Sequence, residues 1–315
     1  MAEVSTEVKL ERPLKKHKKK MPKEDVIFYI FNTIFLVLFA IVTLYPVLNT
    51  LAYSFNDGND AIRGGIHFLP RRWSIKNYNS VLTKEGILVG AKITVLRTIL
   101  GTLTSLFANA LLSFILSRKK FLFKSSLSLF WIITMYASGG LVPTMILFRY
   151  LHLTESFWVY VIPGMVSAFN VMVMRTYMEG IPDSLEESAM LEGAGYMTVF
   201  SKIISPLCKP VYATIALFVA VYHWNAWFDA MLYNRMNPEY TTLQYELMKL
   251  LNNVSATSSG PVGASQGGQT ASAQTVTPIT IRAAATIATM APIIALYPFL
   301  QRYFVTGLTI GGVKE

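Results

Sequence analysis

The residues best suited to bind a ligand lie between positions 222 and 229, inside an otherwise apolar segment. This stretch contains two tryptophans, a histidine, an amide and a carboxylate. Ionisable groups inside a membrane-length segment are costly and usually face the protein interior. Aromatic faces combined with amide and carboxylate groups suit a sugar, because they stack on ring C–H faces and bind hydroxyl groups. The candidate pathway residues are Asn170, His223, Trp224, Asn225, Trp227 and Asp229.

Two other interpretations of the tryptophans stay open. Trp224 and Trp227 could belong to an interfacial aromatic belt, or they could contact a partner subunit. Weaker pathway candidates are Lys92, Arg97, Asn109 and Arg175.

The sequence contains little that is typical of a catalytic or metal-binding site. Cys208 is the single cysteine, which excludes an internal disulfide and a cysteine metal site. The four histidines are scattered and lack metal-ligand spacing. The chain has no HExxH motif and no Gly-x4-Gly-Lys-Ser/Thr phosphate loop, so we expect no enzymatic activity and no cofactor bound by this chain.

The longest polar, helix-forming stretch runs from position 181 to 210. A helix is predicted to begin after Pro182, with Glu186 and Glu187 at capping-box spacing from Asp183 or Ser184.

Glycines and prolines divide the rest of this stretch. Gly193 and Gly195 predict a turn that ends the first helix. A second amphipathic piece follows, and Pro206 and Pro210 close it. Its apolar residues at helical spacing are Tyr196, Phe200, Ile203 and Ile204.

The composition is that of a membrane protein. Of the 315 residues, 53% are hydrophobic and only 15% are charged, where a soluble domain has about a quarter charged. The net charge is +10. Because the basic residues are distributed as in a membrane protein, we expect no nucleic-acid partner.

We predict an all-α membrane protein with six transmembrane helices. Gly139-Gly140, Pro143 and Pro163 lie in or near these spans and fit either kinks for packing or broken helices along a pathway. The predicted spans cover residues 26–51, 87–116, 127–148, 157–178, 211–232 and 283–305.

The charges of the short loops predict the orientation. The 117–124 loop has four basic residues and the 149–155 loop has only Arg149. The positive-inside rule therefore places the 117–124 loop, the 181–210 loop and both termini in the cytoplasm.

Two segments outside the spans have distinctive compositions. Residues 1–25 form a basic cytoplasmic tail, and residues 252–278 are predicted to be a flexible outer insertion rich in Ser, Gly, Ala, Gln and Thr. The predicted division is therefore 1–25, then 26–86 with the first span and an outer loop, then a core of residues 87–315.

Here the sequence resembles a known family. Glu187-x-Ala189-x3-Gly193, followed by Ile203-x2-Pro206, is similar to the EAA loop of ABC importer permeases. The resemblance implies the type I ABC importer permease fold, with this loop as a cytoplasmic coupling helix that seats on an ATPase subunit. The implied coupling residues are Glu186, Glu187, Ala189, Met190, Leu191, Glu192, Gly193, Ala194 and Gly195.

Further motifs resemble the carbohydrate branch of that family. Trp224-Asn225-x-Trp227 and the C-terminal run 297–304 (YPFLQRYF) are similar to MalG-like subunits. Gly139-Gly140-Leu141-x-Pro143 is more similar to the LplC-type branch, which imports oligosaccharides and polysaccharide fragments.

The resemblance implies a multi-subunit importer in a bacterial plasma membrane. Its other parts would be a second related permease, two cytoplasmic ATPase subunits that bind ATP and Mg²⁺, and an extracytoplasmic sugar-binding protein. The implied substrate is an oligosaccharide, and membrane lipid surrounds the spans.

Two alternatives stay open at this stage. An ABC permease for a non-sugar solute would share the 181–210 loop but lack the C-terminal motif. A secondary transporter would normally show paired repeats and its own ion-coupling carboxylates, whereas Asp229 is the main acid within a span.

Overall fold

The computed structural model describes residues 22–258 and 276–307. Within these ranges the secondary structure is helical apart from one isolated antiparallel bridge between Asn56 and Trp73. The chain divides into two units, residues 1–48 and residues 49–315. The first unit contains most of helix α1 (Lys23–Ser54), which is long and apolar enough to cross a membrane and continues through Pro46.

A polar network organises the segment that follows α1. The short helix α2 (Gly58–Ala61) is capped by Asp57, whose carboxylate accepts from the amides of Asn59 and Asp60. Asp60 in turn accepts from Asn56 Nδ2 and Arg71 Nε, both at 3.0 Å. These bonds fix the loop before α3 (Lys76–Leu82).

Helix α4 (Glu85–Ser117) is the centre of the second unit. Three helices pack against it: α7 (Ala168–Glu179), α11 (Lys209–Asn225) and α13 (Leu243–Ser258). Apolar residues of α4 and of the segments around it form separate clusters near the two ends of α4. The remaining elements are α5 (Lys124–Tyr136), α6 (Leu141–Tyr150), a 3₁₀ turn (Phe157–Tyr160), α8 (Asp183–Leu191), α9 (Tyr196–Thr198), a π-helical stretch (Val199–Ile204), α10 (Ser205–Leu207), α12 (Phe228–Tyr233), a 3₁₀ turn (Pro238–Tyr240) and α14 (Pro278–Gly307).

Three predicted spans are not continuous helices. The 127–148 span breaks at Gly139-Gly140, where Gly140 has φ +84°, and α5 and α6 meet at 114°. The 157–178 span is wrong as one helix, because the chain around Pro163 is irregular and only the 12 residues of α7 are α-helical. The 211–232 span breaks at Ala226 and Trp227, between α11 and α12.

By length and apolar composition, three helices in the described ranges could each cross a membrane: Lys23–Ser54, Glu85–Ser117 and Pro278–Ala295. Two bent pairs bring the number to five if each is one span. One pair is α5 with α6, and the other joins residues 196–207 to α11 at 80°.

Several predictions fall outside the described residues. These are the basic run 15–20, the central part of the insertion at 259–275, and the chain end from Leu308. The backbone of α14 includes the 297–304 motif.

Candidate functional site

The first polar helix of the 181–210 loop ends as its glycines predict. Gly193 has φ +85°, a left-handed conformation that glycine adopts without steric cost. Its amide donates to Met190 O (3.0 Å), and the Ala194 amide donates to Ala189 O (3.0 Å). These two bonds form a Schellman motif, which satisfies the last carbonyls of α8.

The start of α8 differs from the prediction. Pro182 is the N-cap, and among the described residues no side chain caps the helix there, so the capping box is wrong. The acidic side chains of the first turn point to the basic loop after α4 instead. Asp183 pairs with Lys119, and Glu186 pairs with Arg118. The hydrogen bond from Lys119 lowers the pKa of Asp183, and the same bond raises the pKa of Lys119.

A third acidic residue extends this contact to the end of α7. Glu179 Oε1 accepts from Lys124 Nζ at 2.8 Å and from Arg175 Nε at 2.9 Å. Burial opposes ionisation of Glu179, but these two hydrogen bonds outweigh it, so its pKa is lowered. The basic loop after α4 is predicted to be cytoplasmic from its charge. It also binds the acidic residues at the start of the 181–210 loop.

One face of the loop packs into the core. Ala189 and Phe200 are buried, and the ring of Phe200 lies 5.2 Å from that of Phe114 on α4, centroid to centroid. The Arg118 guanidinium lies 4.9 Å from the Phe114 ring centroid. The loop is thus fixed to α4 by both apolar and ionic contacts.

The other face of the loop is exposed and partly apolar. Leu191 is 91% exposed, and Met197 is 64% exposed. Leu185 and Tyr196 are also exposed. Several exposed apolar side chains on one polar loop are typical of a protein contact site.

The last part of this loop, before α11, contains a widened helix. Residues Val199–Ile204 are π-helical and end two residues before Pro206. Proline has no N–H, and its ring clashes with the carbonyl four residues earlier, so a locally wider turn relieves the clash. The chain then turns by 80° into α11.

A cavity of about 690 Å³ lies beside the break between α11 and α12. Its wall combines aromatic rings with polar groups on elements that α4 supports. The lining includes Arg97, Thr144, Phe148, Tyr160, Tyr222, Asn225, Trp227, Phe228, Asp229 and Tyr233.

The charged groups of this wall are paired with each other. Arg97 donates to both carboxylate oxygens of Asp229, at 3.1 and 2.5 Å, although the two residues lie 132 positions apart. The guanidinium also lies 4.3 Å from the Tyr160 ring centroid. The Arg97 side chain is 1% exposed and that of Asp229 is 21% exposed. The pair therefore leaves the wall with no net charge and with the Asp229 carboxylate at its surface.

Comparison with known proteins identifies the family of this chain. The family model described as "binding-protein-dependent transport system inner membrane component" matches residues 101–231. The polygalacturonan/rhamnogalacturonan transport system permease protein YtcP of Bacillus subtilis is 31% identical over 280 residues, covering 89% of this chain and 96% of YtcP. The chain belongs to this family of ABC importer permeases. Protein LplC of B. subtilis is 29% identical, covering 95% of this chain and 98% of LplC.

A solved structure agrees with the family assignment. The crystal structure of a bacterial ABC transporter involved in import of the acidic polysaccharide alginate contains a chain with a TM-score of 0.81 to this permease. The two are 28% identical, and the match covers 91% of this permease and 100% of that chain.

Half of the predicted pathway residues line the cavity of the permease. Asn225, Trp227 and Asp229 do so. His223 and Trp224 face neighbouring helices: His223 is 2% exposed against Gly101 of α4, and the Trp224 indole donates to Thr289 O of α14 at 3.0 Å. Asn170, in the first turn of α7, is buried.

The predicted coupling residues separate into an inner and an outer set. Glu186 and Ala189 face inward, to Arg118 and to the core. Met190 and Ala194 are half-buried. The exposed members are Glu187, Leu191, Glu192, Gly193 and Gly195.

Several residues that form the two sites are not among the candidates that the sequence predicts. Arg118 and Lys119 contribute there only to the positive charge of their loop, and no sequence pattern marks Tyr160 or Tyr233. Arg97 and Asp229 could have been paired in advance, because a cation and an acid within spans usually neutralise each other.

Proposed function

We propose that this permease forms one half of the pore of an ATP-driven importer of oligosaccharides or polysaccharide fragments. YtcP is a polygalacturonan/rhamnogalacturonan permease by name, and the solved relative belongs to an alginate importer. The aromatic and polar lining of the 690 Å³ cavity suits such a solute, since rings stack on sugar faces and amide and carboxylate groups bind hydroxyls.

The observation that supports the coupling role best is the two-faced loop. Its inner face is fixed to α4 by Arg118 and Glu186, and its outer face presents Leu191 at 91% exposure. A partner that binds the outer face therefore moves α4 and the wall of the cavity. In the proposed cycle an ATPase subunit holds Leu191 and its neighbours, and ATP-driven closure of the ATPase pair shifts the spans from inward-open to outward-open.

The proposed assembly contains a second homologous permease, two cytoplasmic ATPase subunits that bind ATP and Mg²⁺, and an extracytoplasmic sugar-binding protein. In it the permease crosses a bacterial plasma membrane six times, with both termini and the 181–210 loop in the cytoplasm. The broken pair at 124–150 supplies one of these spans, and α11 supplies most of another.

The Asp229 contact favours an ABC importer over a secondary transporter. A secondary transporter normally has its own ion-coupling carboxylate within the spans. Both oxygens of Asp229 accept from Arg97, a cation that is always charged.

Sugar uptake and subunit association test the proposal together. Glu187→Lys and Gly193→Asp should abolish uptake while the permease still inserts into the membrane and binds the second permease. Glu239→Lys, the same charge reversal on an exposed residue outside the loop, is the matched control. Normal uptake by both loop variants would overturn the coupling role. A permease that purifies with no ATPase and still transports would overturn the importer class.

A further inference from the structure

An amphipathic groove of about 500 Å³ lies between α5, α7 and the loop that joins α4 to α5. It is separate from the cavity beside α12. Its lining consists of Lys119, Phe121, Leu122, Lys124, Ser125, Ser128, Leu129, Ile132 and Arg175.

The chemistry of the groove changes along one face of α5. Ser125, Ser128, Leu129 and Ile132 follow helical spacing and share that face. They extend over roughly 10 Å of helix axis, from hydroxyl groups at the first turn to aliphatic side chains further along. A ligand that fits this face has a polar head at one end and a hydrocarbon chain at the other.

The polar end of the groove has excess positive charge. Among the described residues that line it none is acidic, while three are basic. Counting neighbours, five basic residues (Arg118, Lys119, Lys120, Lys124, Arg175) surround four acidic ones (Glu179, Asp183, Glu186, Glu187). One positive charge is therefore in excess.

The basic groups can reach a ligand without losing their present partners. The Lys119 side chain is 79% exposed, and its ammonium group has three donors, of which Asp183 uses one. Lys124 donates to Glu179, and it too has further donors.

The apolar side chains next to the basic loop are exposed rather than packed. Leu122 is 92% exposed, Phe123 is 64% exposed and Leu129 is 59% exposed. Basic residues beside exposed apolar ones, where a helix enters the bilayer, match the boundary between headgroups and acyl chains.

We infer that this groove binds an anionic phospholipid of the cytoplasmic leaflet. The phosphate accepts from Lys119, Lys124 and the Ser125 hydroxyl, and one acyl chain lies along Leu129 and Ile132. The inference rests on the membrane orientation proposed above and is independent of the transported solute. Because Lys119 and Lys124 also hold Asp183 and Glu179, the bound lipid borders the fixed face of the coupling loop.

Native mass spectrometry of the full-length chain, released from mixed phosphatidylglycerol and phosphatidylcholine micelles, tests the site. The chain should retain phosphatidylglycerol in preference to phosphatidylcholine of the same acyl length. Lys119→Gln should lower that retention by about fivefold, because it removes one hydrogen bond from a cation to the lipid phosphate. Lys120→Gln is the matched control, because it removes the same charge from the same loop outside the groove.

A second variant separates a lipid from a free anion. Leu129→Ser leaves the basic end intact and should also lower phosphatidylglycerol retention. Equal losses in Lys119→Gln and Lys120→Gln would show general surface attraction and overturn the site. Binding of inorganic phosphate that depends on Lys119 and ignores Leu129→Ser would replace the lipid with a free anion. Loss of ATPase association in Lys119→Gln with lipid retention unchanged would make the groove a protein contact and overturn the inference.

Discussion

At the scale of single residues, the cation of Arg97 and the carboxylate of Asp229 neutralise each other within the predicted spans. Arg97 and Asp229 form a two-contact ion pair, with the Asp229 carboxylate also accepting from the Ala230 amide at 2.9 Å. A buried pair of this kind contributes little net stability compared with apolar residues, but removing one partner leaves an uncompensated charge.

Asp229→Asn should therefore destabilise the permease by about 3 kcal/mol, because the Arg97 guanidinium stays buried without its counter-charge. Thermal unfolding of the detergent-purified chain measures the change. The double variant Arg97→Met with Asp229→Leu should recover most of the loss, since it removes both charges. If Asp229→Asn has the same melting temperature as the wild type, the pair is solvated by water within the membrane.

Gly193 is constrained by its backbone alone. Among the described residues, no atom lies within 4 Å of a Cβ added there, so the positive φ is the only obstacle to a side chain. Gly193→Ala should cost roughly 1 to 2 kcal/mol locally, and Gly193→Asn should cost less, because asparagine tolerates the left-handed region. Faster amide hydrogen exchange over α8 reports the loss of the Schellman bonds.

Gly195 gives the control for this prediction. It lies in the same turn with equally open surroundings, but its φ is −77°. Gly195→Ala should leave exchange over α8 unchanged. If both alanine variants behave alike, backbone strain is not the reason for glycine at 193.

Residue type and local spacing predicted some of these features and not others. The turn at Gly193 depends only on neighbouring residue types, so the sequence was sufficient to predict it. The cavity wall joins residues 97, 160 and 229, which no local pattern connects. His223 and Trp224 adjoin Trp227 in sequence, yet successive helix positions point about 100° apart, so His223 faces α4 and Trp224 faces α14.

At the scale of elements, α4 and α11 approach closely where a glycine meets a histidine. A Cβ added to Gly101 would lie 2.3 Å from His223 Nε2. Small residues at a helix contact allow this approach in membranes, where no hydrophobic driving force between helices is available. The contact sets the position of α11 and hence of the break that borders the cavity.

Gly101→Ala should push α4 and α11 apart and lower stability by about 1 to 3 kcal/mol, the usual cost of overpacking. Adding His223→Ala should restore much of it, because the obstacle is then removed. Melting temperatures of the two variants measure both steps, with Gly139→Ala as the control, since its added Cβ has no described atom within 4 Å. If the double variant melts below Gly101→Ala, the imidazole stabilises the contact rather than obstructing it.

Helix existence was predictable, but helix continuity was not. Hydropathy averages over a window, so the apolar residues on both sides of Gly139-Gly140 gave one span in the sequence and two helices at 114° in the structure. Gly139-Gly140, Pro143 and Pro163 marked the possible breaks, and only tertiary packing decides between a kink and a full break.

At the scale of the whole molecule, the 181–210 loop and the basic loop after α4 form one charged surface. Acidic residues of the first pair with basic residues of the second, so that α8 is fixed to the end of the central helix. Leu191 lies outside these contacts and is exposed. In the proposed coupling role, force applied at Leu191 reaches α4 through the ion pairs of α8.

Leu191→Ser should weaken the association of the ATPase subunit by roughly tenfold or more while the permease itself stays folded. Burying a leucine side chain contributes about 1.5 to 3 kcal/mol, and each 1.4 kcal/mol corresponds to a tenfold change in affinity. The measurement is titration of the purified ATPase onto the permease in nanodiscs. Met236→Ser changes a comparably exposed apolar residue (80%) outside the loop and should leave the affinity unchanged. Equal affinities for Leu191→Ser and the wild type would mean that the ATPase binds elsewhere, and the exposed apolar face of α8 would then need another partner.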